Sequence, residues 1–243
     1  MTRRRRFGYV VLGLLVALGI AAGLLFWASK QVPDFYEETI QANEDPVLRQ
    51  QSAKEFVQQT MQFAEEVKNA DSWSQEFTQH QINSWLIEDF PKKYAKHIPR
   101  NISNPRIRLT EKTVQLGFKL EHPKYQGVIS FRLKPFVTED RKLAIEIESI
   151  RAGLIPVPLD EVIEQVKKRL PKNKWQLEWS HINGHDVILV DLVGQAKNQP
   201  QLESVEVIEK AIRISGRKKK KIDNSSNIFP RLAKFPKKNS STN

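Results

Sequence analysis

Five histidines and a scatter of carboxylates are the residues of this chain that could do acid–base or metal chemistry. His181, His185 and Asp186 are the densest set. Between the two histidines lies Asn183-Gly184, the strongest short hairpin signal. A two-residue turn there pairs Ile182 with His185 and His181 with Asp186, so the two imidazoles point to opposite faces. That geometry argues against a shared metal and for a cross-strand His181–Asp186 pair on a wet face. His80, His97 and His122 stand in polar surroundings and read as solvated.

The carboxylates do not assemble a site either. Glu146 and Glu148 recur at period two on a solvent face and keep a sheet soluble. Asp160 and Glu161 sit where the first turn of a helix favours negative charge. The chain has no Cys, hence no disulfide framework and no thiolate chemistry. It has no G-x-S-x-G, no P-loop and no dinucleotide fingerprint. No catalytic, cofactor-binding or metal-binding residue is assigned, and no cofactor is expected.

The element that organises the chain is Phe7–Ala28, 22 residues without a charge. As a helix it is about 33 Å long, enough to cross a hydrocarbon core of about 30 Å. Arg3–Arg6 precede it, while Lys30, Asp34, Glu37 and Glu38 follow. By the positive-inside rule residues 1–6 are a cytoplasmic basic N-terminus and everything past Ser29 lies outside. The run is longer than a signal peptide's apolar region, and Leu25-Phe26-Trp27 puts bulky groups where a peptidase needs small ones. Gly19 and Gly23 form a G-x-x-x-G that can pack helix dimers.

The net charge of +11 is unevenly spread. Residues 1–6 carry +4, and residues 216–243, with nine Lys/Arg and one Asp, carry +8. Subtracting both leaves −1 for residues 7–215. The folded part is nearly neutral, which does not support a basic domain that grips nucleic acid.

Gln31–Asn43 reads as a polar link. Pro46 opens a helical pattern to about Asn69, with Ala53, Phe56, Val57, Thr60, Phe63, Ala64 and Val67 on one face. Trp73–Phe77 is extended, and Thr78 and Gln81 have capping-box spacing ahead of a helix carrying Ile82, Trp85, Leu86 and Phe90. Pro91 ends or kinks that helix.

From Ile107 to Glu148 the period is two. Ile107 and Leu109, Val114 to Leu120, Ile129 to Leu133 and Leu143 to Ile147 alternate with polar residues, the mark of antiparallel strands with one wet side. Arg151–Pro158 leads into a helix with Leu159, Val162, Ile163, Val166 and Leu170 on its stripe. A hairpin with Trp175, Leu177 and Trp179 on one face follows, then a last irregular strand, Val205–Ile214. From Gly216 the pattern is lost and the chain reads as a basic disordered tail.

At Ser149–Leu159 the sequence Ser-Ile-Arg-Ala-Gly-Leu-Ile-Pro-Val-Pro-Leu resembles the YpmS-type family of single-span, membrane-anchored bacterial proteins with an extracytoplasmic domain. Gly153, Leu154, Pro156 or Pro158, Val162-Ile163, Leu170-Pro171 and Trp175 carry the resemblance, with Gln81-Ile82-Asn83-Ser84-Trp85-Leu86 upstream. It covers roughly residues 75–195. It implies a curved sheet partly wrapped round helices, similar to lipid-binding tubular folds, and implies no enzyme activity.

The expected fold is therefore α+β: an N-terminal transmembrane helix, then a curved antiparallel sheet packed with two or three helices. The boundaries are residues 7–28 for the anchor, 29–72 for the juxtamembrane link and amphipathic helix, 73–215 for the domain and 216–243 for the tail.

Gly153, Leu154, Ile155, Pro156, Val157, Pro158 and Leu159 crowd apolar side chains at a proline-marked edge, where they can line the mouth of a ligand or partner site. Trp85, Trp175 and Trp179 are candidate groove aromatics. Arg217, Lys218, Lys219, Lys220 and Lys221 are a polyanion-binding stretch facing anionic envelope surfaces.

The expected function is non-enzymatic: a cell-membrane protein of the bacterial envelope that binds an apolar or lipid-like ligand or supports envelope assembly. A protein–protein scaffold without small ligand is the alternative, and an envelope hydrolase a second.

Overall fold

The computed structural model describes residues 2–96, 98–123, 125–159, 164, 177–182, 184–190 and 200–218. The protein is α+β: a long apolar N-terminal helix is followed by two antiparallel sheets and a few helices. Helix α1 runs Thr2–Lys30. Among the described residues it is the one helix long and apolar enough to cross a membrane, and none of its apolar window is buried.

Gln31–Pro33 then breaks the helix before α2 (Asp34–Gln41). The sequence reading makes Gln31–Asn43 a polar link, and here the structure differs. Phe35, Tyr36 and Thr39 fall on one face of α2 and are buried at 8%, 0% and 1% exposure. Eight residues give barely two turns, too few for a periodic signal to stand out among three charged positions.

Helix α3 (Pro46–Asn69) starts where Asp45 accepts the Val47 and Leu48 N–H groups, at 2.8 and 3.3 Å. It packs on β1 (Ser72–Thr78) and α4 (Gln79–Glu88). Thr78 and Gln81 form the expected capping box. Pro91 falls in the first turn of a further short helix, α5 (Phe90–Tyr94).

The strands follow as β2 (Ile102–Thr110), β3 (Thr113–His122), β4 (Tyr125–Val137), β5 (Leu143–Ala152), β6 (Ile155–Val157), β7 (Leu177–Ile182), β8 (His185–Val190), β9 (Pro200–Ile208) and β10 (Ala211–Lys218). One sheet has the order β2-β3-β4-β5-β8-β7, with β6 sharing the outer edge of β5 with β8. The other is β1-β10-β9. The sheet is not closed, and where the sequence reading has one sheet there are two.

The edge strand β2 would present free backbone groups to other chains. Two side chains of α4 take the place of a neighbouring strand. Asn83, fully buried, accepts the Ile107 N–H and donates to the Ile107 carbonyl, both at 2.8 Å. Gln79 accepts the Leu109 N–H at 2.7 Å.

Val205–Ile214 is not one irregular strand but parts of two. Lys210, at φ 61°, turns the chain between β9 and β10. A Glu-Lys turn carries no Gly, Asn or Pro, so nothing in the residue types announces it.

The tail boundary also moves. Gly216, Arg217 and Lys218 belong to β10 and pair with Trp73, Ser72 and β9. Gly216 is there because a Cβ would fall on the Trp73 ring, and it marks no loss of structure. The expected helix from Leu159 to Leu170 lies, beyond Leu159 and Glu164, outside the described residues.

Candidate functional site

The last turn of any helix leaves carbonyls without intrahelical partners. In α1 two of these, on Ala28 and Ser29, are met by the domain. Leu154 N–H donates to the Ala28 carbonyl at 3.1 Å, and the Tyr125 hydroxyl donates to the Ser29 carbonyl at 3.0 Å. Lys30 donates to the Gln126 carbonyl at 2.8 Å and lies 4.9 Å from the Tyr125 ring centre. A cation in the last turn also suits the helix dipole. Burial raises the Tyr125 phenol above its ordinary range, so the hydroxyl remains a donor.

This seat is made by the two-residue turn Gly153-Leu154 between β5 and β6, the start of the expected rim. Gly153 has φ +59°, and its N–H donates to the Val128 carbonyl at 2.8 Å. Leu154 is 46% exposed beside a helix end on which Phe26 and Trp27 are also exposed. Pro156 and Pro158 are exposed. Val157 and Leu159 turn the other way and pack on buried Ile147 and Ile150, and Ile155 is half-buried. The stretch is thus divided: its turn meets the end of α1, while its later apolar side chains join the core of the seven-stranded sheet.

The groove aromatics do not form one groove. Trp85 stands in a ladder of rings, 5.5 Å from Phe56, 5.4 Å from Phe90 and 6.2 Å from Tyr94. This is the core between α3, α4 and α5. Trp179 belongs to the separate cluster of Ile147 and Ile150. Trp175 lies outside the described residues.

The register expected around Gly184 is the one observed: His181 faces Asp186 and Ile182 faces His185. His181 Nδ1 is 3.4 Å from Asp186, and His185 Nδ1 is 3.1 Å from Glu146 of β5. The described residues hold no cluster of three His, Cys, Asp or Glu suited to a metal. Glu146 is mostly covered rather than on an open face, and also meets Lys134 at 3.9 Å. His80, expected in solvent, is half-buried with its Nδ1 3.1 Å from Asn43 Nδ2. His97 lies outside the described residues.

Of the polyanion-binding stretch, Arg217 holds Glu203 at 2.6 Å and Lys218 donates to the Asn69 carbonyl at 2.7 Å. Both are committed to the fold. Lys219, Lys220 and Lys221 lie outside the described residues.

Tyr125 and Lys30 escape the sequence reading because their role depends on a contact 96 residues apart. A Lys at the end of an apolar helix and a Tyr next to a turn are each ordinary alone.

The chain matches no family model, no curated protein and no solved structure.

Proposed function

We propose that this chain is a single-pass protein of a bacterial envelope, with Arg3–Arg6 in the cytoplasm and the α+β domain outside. We further propose that the domain is non-enzymatic and holds an apolar or lipid-like ligand where the anchor leaves the bilayer. The observation that carries this reading is the bond from Leu154 N–H to the Ala28 carbonyl, 3.1 Å. It ties the rim to the helix end, the level at which acyl chains meet headgroups. Leu154, Phe26 and Trp27 are all exposed about that bond, while Val157 and Leu159 connect the same segment to the apolar face of the sheet.

A phospholipid with a photoreactive acyl chain tests this in vesicles carrying the full chain. The expected result is crosslinking to peptides spanning residues 153–159. Crosslinks confined to α1 would overturn the reading.

A further inference from the structure

Alternation along β4 and β5 gives the seven-stranded sheet two unlike faces. Ile129, Phe131 and Ile150 go to the apolar cluster. Ser130, Arg132, Ser149 and Arg151 go to the opposite side, where Arg132 pairs with Ser149 and Ser130 with Arg151 across the strands. Helix α2 covers part of that second face. It lies over Gly117, where a Cβ would be 2.8 Å from the Tyr36 ring, and over buried Val128. Beside α2 the face stays open, as a recess of about 90 Å³ lined by the two arginines, the two serines and Gln115.

The electrostatics of this recess are one-sided. Arg49, Arg108, Arg213 and Arg217 each hold a carboxylate within 2.6 to 2.9 Å. Among the described residues Arg132 and Arg151 hold none, and no Asp or Glu lines the recess. Ser130 also lines it at 7% exposure, and its hydroxyl makes no hydrogen bond among the described residues. That hydroxyl faces the recess and is free to donate to a ligand atom that accepts. Two guanidiniums and two hydroxyls around a small recess match the oxygens of a phosphate. Pro33, Phe35 and Phe131 give the wall an apolar part, and Gly153 and Leu154 close it, so the recess opens beside the residues bonded to the end of α1.

We infer that this recess binds the phosphate of an anionic phospholipid headgroup in the leaflet into which the anchor runs. The inference rests on the proposed reading only in taking the domain to lie at a lipid surface. The polar face then receives the headgroup, and the Gly153-Leu154 turn lies between it and the apolar face that suits an acyl chain.

The test uses the full chain in neutral detergent micelles, with amide resonances of residues 130–132 and 149–154 followed by NMR. Short-chain phosphatidylglycerol should shift them saturably, phosphatidylcholine more weakly, and inorganic phosphate at equal concentration very little. Each charge-assisted hydrogen bond lost is expected to weaken binding about tenfold, so R132Q and R151Q should each do so. Arg151→Lys keeps the charge without the fork and should fall between. Neutralising Lys219, Lys220 and Lys221 should change nothing in this titration. Equal response to the two lipids would overturn the inference, as would displacement by inorganic phosphate or loss of the preference only when the tail lysines are neutralised. A rim that takes no acyl crosslink would instead sink the proposed ligand while this titration still succeeded.

Discussion

Gly153 and Ser29 touch backbone to backbone: a Cβ on Gly153 would fall on the Ser29 carbonyl. The last turn of α1 and a turn of the domain's sheet are therefore one packed unit. The left-handed φ of Gly153 adds a second reason for glycine, since other residues lose about 1–2 kcal/mol there.

Gly153→Ala should accordingly unseat the domain from α1 while leaving the sheet folded. Lys30, held by Gln126 in the wild type, then becomes accessible. Trypsin cleavage after Lys30 is the measurement. The variant should be cut several-fold faster with little change in far-UV circular dichroism; equal rates would show that the seat does not hold the helix end.

The divided rim gives a contrast within five residues. Leu154→Asp places a charge on a side chain already 46% exposed and should change stability by about 0.5–1 kcal/mol. Val157→Asp puts an unpaired carboxylate against Ile147 and Ile150 and should cost several kcal/mol. Thermal melts of the two variants separate them. Equal melting temperatures would mean that the segment does not turn its side chains in opposite directions.

Asn83 bonds both backbone groups of Ile107 from inside the core. Asn83→Ala leaves a buried N–H and a buried carbonyl unpaired, a loss of about 2–4 kcal/mol. It also uncovers the β2 edge, so the variant should aggregate on heating at temperatures where the wild type does not. Denaturant titration and light scattering measure the two effects, and a variant indistinguishable from wild type in both would contradict the strand-replacement role.

Tyr36 makes stability depend on pH at the alkaline end. Its hydroxyl is buried, donates to the Asn104 carbonyl at 2.6 Å, and burial pushes its pKa up to about 12, with Arg106 opposing the shift. A group raised in the folded state stabilises fully below its unfolded pKa of about 10, and that stability is lost as pH climbs through about 12. Over that window the loss is about 2–3 kcal/mol. Tyr36→Phe should be less stable by about 1 kcal/mol near pH 8 and lack this alkaline slope. Parallel slopes for the two proteins in urea unfolding would exclude Tyr36 as the source.

Much of the fold can be read from residue types because it rests on local rules. The capping box at Thr78 and Gln81, the alternation from Ile107 to Ile147 and the register around Gly184 are each set by neighbours in sequence. What escapes is set by distant contacts. Phe35 and Tyr36 bury themselves under Asp34, Glu37 and Glu38 because β2 to β4 provide a surface over Gly117. Gly216 looks like the start of a tail until Trp73 is laid across it.

The rim was legible as an apolar, proline-marked edge, whereas its union with Ala28 and Ser29 was not, since a turn's free N–H leaves no trace in the sequence. Arg132 is legible only as the wet face of a strand, and Arg151 reads as the lead into a helix, whereas the strand runs on through it to Ala152. That neither holds a carboxylate among the described residues is a property of the folded arrangement.

Topology is tested by protease added to spheroplasts expressing the full chain. The proposed orientation requires loss of the domain and survival of a fragment of about the anchor's size. Protection of the whole chain would contradict it.

The most direct test of the proposed ligand is native mass spectrometry of the full chain released from membranes in a mild detergent. The wild type should retain a bound lipid, identifiable after organic extraction, and Leu154→Asp should lose it while melting normally. A wild-type protein that is folded and carries no lipid, or a Leu154→Asp protein carrying the same lipid at the same occupancy, would contradict the account.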